Sequence, residues 1–243
     1  MKTKQKPSVV FSHVSKIYSF RHNKPTLSDY IYFRDRRQKS FTALNNVSFT
    51  VHQGDRLAII GVNGSGKTTI LKLMAGVAQP TKGQIGVTGR TVSLIDLSAG
   101  FHPDLNGLEN IMINALLLGM KKSEVLSLMD EIIAFADIGE FINQPFFTYS
   151  EGMKLRLGFS VGVHSDPEIF IIDESIAAGD EVFKKKAINK IHELFNSGKT
   201  IVLATHMLEF IKNNFDRVIW LEKGEIVADG GVEVVDKFIA SFE

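Results

Sequence analysis

Eight consecutive residues, Gly61-Val62-Asn63-Gly64-Ser65-Gly66-Lys67-Thr68, set glycines, a lysine and a hydroxyl at the spacing G-x-x-x-x-G-K-T. Glycine has no Cβ, so such a loop brings its backbone close to a phosphate chain and turns its N–H groups inward. A helix opening directly behind it adds the positive end of its dipole. In this arrangement Gly61, Asn63, Gly64, Ser65 and Gly66 line the phosphates, and Lys67 reaches the β- and γ-phosphates. The Thr68 hydroxyl ligates Mg²⁺, and Thr69 opens the helix beside them. The chemistry is that of a nucleoside triphosphate held with Mg²⁺, as in a kinase, a GTPase or an ATPase; the competing reading is an ordinary Gly/Ser-rich turn.

Two further strand ends complete a hydrolytic set. Ile169-Phe170-Ile171-Ile172 is a continuous apolar run ending in Asp173-Glu174, the pattern of a central parallel strand with its carboxyl end at a ligand. Asp173 is placed to support Mg²⁺, and Glu174 to polarise the attacking water. The next apolar run, residues 200–204, leads to His206, a γ-phosphate sensor in this setting.

The elements that must hold these groups alternate. Residues 57–60 form the strand before the loop, residues 69 to about 78 the helix after it, and 84–87 and 91–95 short strands. Residues 108–142 are helical in period, and a further helix begins after Ser150 and stops before Asp166-Pro167. Helical patterns at 184–196 and 207–214 frame the strand at 200–204. A hairpin turning at Lys223-Gly224 and a helix over 232–242 close the chain. The strict alternation of residues 47–51, with Val9-Val10-Phe11, predicts a separate antiparallel sheet. The β-α alternation predicts a parallel one.

Composition narrows the partners. The formal net charge of +1 over 243 residues gives no reason to expect nucleic acid, and the absence of cysteine excludes disulfides and thiolate metal sites. No apolar run approaches the length that spans a bilayer, so a cytosolic protein is expected. Charge is concentrated in residues 19–41, where Arg21, Lys24, Arg34, Arg36, Arg37 and Lys39 face only Asp29 and Asp35, a net +4. Leu27, Tyr30 and Ile31 repeat at helical spacing, so this insertion reads as a short amphipathic helix with a basic tail. It either packs as a solvated loop or meets lipid headgroups or an anionic substrate.

The order of motifs resembles the ABC ATPase family over residues 9–221. Tyr149-Ser150-Glu151-Gly152-Met153 stands where that family has L-S-G-G-Q, and Ala177-Ala178-Gly179-Asp180 where it has S-A-L-D. The resemblance implies an α/β fold. It is a P-loop NTPase core with a parallel sheet, an antiparallel β subdomain and a helical subdomain (about 97–165) within one domain of residues 1–243. It also implies two copies pairing head to tail, with Ser150 and Gly152 closing over the partner's nucleotide, Asp180 beside them, and Tyr18 stacking on adenine. Ser150 also reads as a plain helix N-cap, and Tyr18 as a sheet-edge tyrosine. Leu97 falls where the family has a glutamine; a leucine cannot ligate Mg²⁺, so either a neighbour, Asp96 or Ser98, substitutes or the loop works without that contact.

Within the family, Ser-x-Gly-Met, residues 156–160 (Arg-Leu-Gly-Phe-Ser), residues 99–103 (Ala-Gly-Phe-His-Pro) and Gly179-Asp180 resemble the ATPase subunits of polysaccharide, teichoic acid and O-antigen exporters. That branch implies a membrane permease as partner, a lipid-linked polymer or lipid headgroups at residues 19–41, and a peripheral position on the cytoplasmic face of the membrane. The chain ends one helix after its hairpin, so it is expected to lack the carbohydrate-binding domain that some members carry. The alternatives are an ABC ATPase for another transported substrate and a soluble, nucleic-acid-associated ABC protein.

Overall fold

In the computed structural model, which describes residues 6–20, 39–95, 97, 99–173 and 180–242, the most apolar runs of the chain are its central strands. β3 (Arg56–Ile60), β5 (Thr91–Ser93), β6 (Ile169–Ile172), β7 (Thr200–Ala204) and β8 (Arg217–Glu222) lie parallel. β9 (Glu225–Gly230) adds antiparallel to β8, in the order β5-β6-β7-β3-β8-β9. Each central strand is buried on both faces. Ala58, Ile60, Phe170, Ile172, Ile201 and Leu203 enter one apolar cluster, while Leu57, Ile59, Ile169, Ile171, Val202 and Ala204 enter the other. Their continuous hydrophobicity follows, because neither face meets water.

The helices cover the two faces unequally. α1 (Lys67–Met74) packs with the second sheet on one side. α5 (Glu181–Asn196), α6 (Leu208–Asn214) and α7 (Glu233–Ala240) contribute to the cluster on the other. The second sheet is antiparallel, ordered β2-β1-β4 from β1 (Pro7–Phe20), β2 (Lys39–His52) and β4 (Lys82–Val87). Phe11 and Phe49 stack across it at 4.6 Å. α2 (Gly107–Leu117), α3 (Lys122–Ala136) and α4 (Glu151–His164) gather a third cluster around Ile111, Val125, Ile132 and Leu157. α2 is nucleated by a full capping box, with Asn106 Oδ1 accepting from Glu109 N and Glu109 Oε2 accepting from Asn106 N.

The expected strands are present, and the first two run longer than their apolar centres indicate. The helix after the phosphate loop starts at Lys67 rather than Thr69. It stops at Met74 rather than near Ala78, where Gly76 turns to φ +70°. The amphipathic helix expected near Leu27 lies outside the described residues, as do Arg21, Lys24, Arg34, Arg36 and Arg37. Among the described residues no helix is long and apolar enough to cross a membrane.

Candidate nucleotide site

Strand order decides what meets what. β3 pairs with β7 through Ile59 and Ala204, and β7 pairs with β6 through Leu203 and Ile172. Three neighbouring parallel strands therefore present their carboxyl ends on one edge: the loop at Gly61, His206 after Thr205, and Asp173. A direct contact links two of them, from His206 Nε2 to Asn63 Oδ1 at 3.1 Å. The loop is more than a hundred positions in sequence from both Asp173 and His206.

The loop is held from behind by backbone. A Cβ at Gly61 (φ +148°) would stand 2.1 Å from Leu221 O, and one at Gly66 (φ +111°) 2.7 Å from Ala43 O. Only glycine fits either place, for conformation and for space together. Gly224 N, at the β8-β9 turn, donates to Ser65 O at 2.9 Å, so the hairpin and the start of β2 form the seat of the loop. Gly64 is different: its φ is +81° but a Cβ there would meet nothing within 4 Å.

Side chains occupy that frame as follows. Lys67 Nζ donates to Gly61 O at 2.7 Å and Val62 O at 3.2 Å, folded over its own loop. Ser65 N donates to Val62 O at 3.1 Å, and the buried Ser65 Oγ has no hydrogen-bond partner among the described residues. A buried hydroxyl left unpaired costs about 1–3 kcal/mol, a cost tolerated at sites whose geometry is set by something else. Ser65 thus faces the protein with its side chain, and any phosphate contact falls to the loop backbone. Thr68 is exposed and Thr69 half-buried on α1, whose N-terminus carries no side-chain cap. Asp173 is half-buried at the end of β6; Glu174, Ala177, Ala178 and Gly179 lie outside the described residues. The donor set for Mg²⁺, a hydroxyl from Thr68 and a carboxylate from Asp173, is all hard oxygen. It suits an ion that keeps waters and phosphate oxygens in its shell.

The other expected residues stand elsewhere. Ser150 is the N-cap of α4, its Oγ accepting from Met153 N at 3.2 Å. Gly152 is exposed, and a Cβ on it would meet only Ser150 Oγ, at 3.9 Å, so this helix start is an open face. Asp180 is the N-cap of α5, with Oδ1 accepting from Val182 N at 3.1 Å and Phe183 N at 2.9 Å. Tyr18 sits half-exposed on β1, paired with Phe41, with Lys16 Nζ 4.9 Å from its ring centre. Leu97 is half-buried against α4, where a Cβ on Gly158 would come within 1.9 Å of its carbonyl oxygen; Asp96 and Ser98 lie outside the described residues. Beside Leu97 a cavity of about 100 Å³ opens between β5, α2 and α4, with Leu94, Phe101, Leu117 and Gly162 in its lining. Sequence reading missed the backing of the loop by Leu221, Gly224 and Ala43. Only the glycines themselves hinted at it.

The sequence pattern described as ABC transporter matches residues 44–177, which include the loop, Ser150 and Asp173. The chain belongs to the ABC transporter family. Its relatives include a teichoic acids export ATP-binding protein of Listeria innocua, 44% identical over 96% of this chain and 71% of the relative. An O-antigen export system ATP-binding protein of Klebsiella pneumoniae is 42% identical over 93% of this chain and 95% of its own length. One of Myxococcus xanthus is 48% identical over 80% of this chain and 46% of the relative. Among solved structures, a dimeric ATP-binding cassette in a post-hydrolysis state with ADP and Pi superposes with a TM-score of 0.73 at 22% identity, covering 92% of this chain and 98% of that one. The ATP-binding subunit of an ABC transporter superposes at 0.75 with 20% identity, covering 96% and 93%. Both have the fold described above, as expected for an ABC ATPase core.

Proposed function

We propose that this chain is the ATP-binding and ATP-hydrolysing subunit of an ABC exporter that moves an undecaprenyl-linked polymer, teichoic acid or O-antigen, across the cytoplasmic membrane. The observation that carries the reading is the 44% identity, over nearly the whole chain, to a teichoic acids export ATP-binding protein. O-antigen export proteins are similar to a comparable degree, 42% identical over 93% of this chain, so both polymers belong to the reading.

Lys67 and the loop amides hold the phosphates of ATP, with Lys67 exchanging its present carbonyl partners for phosphate oxygens. Thr68 and Asp173 would hold Mg²⁺, which when bound supplies charge neutralisation at the β- and γ-phosphates. Glu174 accepts a proton from the attacking water, and His206 turns its Nε2–H from Asn63 to the γ-phosphate. Tyr18 stacks on the adenine. Ser150 and Gly152, exposed on a separate helix start, close over the nucleotide of a second copy, with Asp180 at the same junction. Hydrolysis then reopens the pair, and the helical region of about residues 97–165 passes that motion to a membrane permease. The cavity beside Leu97, flanked by the exposed Leu116 and Leu117, is the apolar surface this region offers it. The basic residues of 19–41 meet lipid headgroups or the diphosphate of the polymer, which keeps the chain at the cytoplasmic face of the membrane as a peripheral subunit.

The test is to purify the chain with the permease encoded beside its gene, place both in lipid vesicles, and measure ATP hydrolysis against candidate lipid-linked glycans. Stimulation by one glycan class is expected. Stimulation by DNA or RNA, with none from permease and lipid, would sink the export reading.

A further inference from the structure

Two cations close the carboxyl end of α3. Lys186, from α5, donates to Ala134 O and Phe135 O at 2.9 Å each. Arg156, from α4, donates through Nη1 to Asp137 O at 3.0 Å. A helix C-terminus carries unpaired carbonyls and partial negative charge, and cations satisfy both. Lys186 needs no further account.

Arg156 does more. Its Nη2 donates to Asp180 Oδ2, and its guanidinium lies 5.5 Å from the centre of the Phe183 ring. Asp180 thereby divides its carboxylate, Oδ1 capping α5 and Oδ2 facing Arg156. The arginine itself is only 22% exposed. One planar fork thus joins three helices: the end of α3, the second turn of α4 and the first turn of α5. A lysine ammonium cannot span both acceptors with that geometry.

The two ends it joins are functionally unequal. α4 is the helix headed by Ser150, whose open face awaits a second copy, and Asp180 ends the stretch of chain that begins at Asp173. We propose that Arg156 is a positioning residue for ATP hydrolysis. It locks the N-cap of α5 to the Ser150 helix, so that closure of one is registered by the other. This rests on the reading of the chain as an ATPase that works as a pair.

The test uses the purified full chain with MgATP, measuring kcat, KM and the Kd of a fluorescent ATP analogue well below the melting temperature. Arg156→Met should lower kcat about tenfold while Kd stays within about twofold, because its partners Asp137, Asp180 and Phe183 lie at the helix joint and not in the phosphate loop. Asp180→Asn keeps the cap acceptor and removes the ion pair, so it should lose about as much, and the double variant no more than either single one. Arg156→Lys should recover part of the rate. Lys186→Met is the control: it loosens the same joint without touching Asp180, and should lower the melting temperature with kcat within about twofold of the parent. A parental kcat in Arg156→Met, multiplied losses in the double variant, or an equal kcat loss in Lys186→Met would each overturn the positioning role. A parent without ATPase activity would overturn the functional reading and this inference with it; a hydrolysing parent with unaffected variants overturns the inference alone.

Discussion

His206 Nε2 lies 3.1 Å from Asn63 Oδ1, so a side-chain hydrogen bond ties the end of β7 to the phosphate loop. The asparagine oxygen can only accept, so Nε2 donates in this contact, and the same N–H is the one that turns to the γ-phosphate when nucleotide is bound. His206→Ala should slow ATP turnover by about 10²-fold and change the Kd for MgATP by less than about tenfold, since the loop and Lys67 are left in place. Single-turnover hydrolysis alongside equilibrium binding checks this. Near-parental turnover would remove His206 from its role.

Gly61 and Gly64 both sit at positive φ, yet their surroundings differ. Gly64→Ala meets only the conformational penalty, about 1 kcal/mol, because nothing stands within 4 Å of the added methyl. Gly61→Ala must also push Leu221 O away from 2.1 Å, which separates the loop from its seat on β8. It should lose nucleotide binding and cost clearly more stability. Urea denaturation with and without MgATP measures both; equal midpoints for the two variants would show that the hairpin does not shape the loop.

The apolar runs at β3, β6 and β7 were legible because strands buried on both faces have no polar positions to obscure them. Asp173 was legible as the first polar group after such a run, and His206 as the second, behind Thr205. The seat formed by Leu221, Gly224 and Ala43 left no mark in sequence, since it is made of carbonyls and an amide that any residue supplies. Arg156 and Asp180 were visible only as parts of motifs. Their pairing spans residues 24 apart and depends on how α4 and α5 cross. Leu97 stands where the resemblance expects a glutamine, and its place against Gly158 follows from close packing that no pattern encodes.

Ser150 offers a direct separation of local from intermolecular roles. As an N-cap, aspartate serves as well as serine, so Ser150→Asp should leave the melting temperature near that of the parent. Ser150→Ala should cost about 1 kcal/mol. If the helix start closes on the partner's γ-phosphate, the added carboxylate repels it, and Ser150→Asp should lose ATP-dependent dimerisation and hydrolysis while Ser150→Ala keeps more of both. Dimer formation by light scattering with MgATP checks this; a Ser150→Asp variant that dimerises normally would confine Ser150 to capping.

His164, the last residue of α4, gives the fold a pH dependence. Burial holds its pKa below the ordinary 6.5, outweighing the Ser160 carbonyl, which accepts from Nδ1 at 2.7 Å. Lys190 lowers it further, while Glu131 and Glu193 act in the opposite direction. The ring edge also meets Phe135, with centroids 5.5 Å apart. With the folded pKa below the unfolded one, the unfolded chain binds the extra proton first as pH falls. The stabilising contribution is therefore complete above pH 6.5 and declines below it, levelling off under the folded pKa. His164→Phe retains a ring against Phe135 and cannot titrate, so the stability difference between parent and variant should shift in the parent's disfavour between pH 7.5 and pH 5, about the range in which histidine changes charge. Chemical denaturation at intervals across that range measures the difference. A constant gap would mean that His164 keeps the same pKa in both states, and a gap moving the other way that it is protonated in the fold.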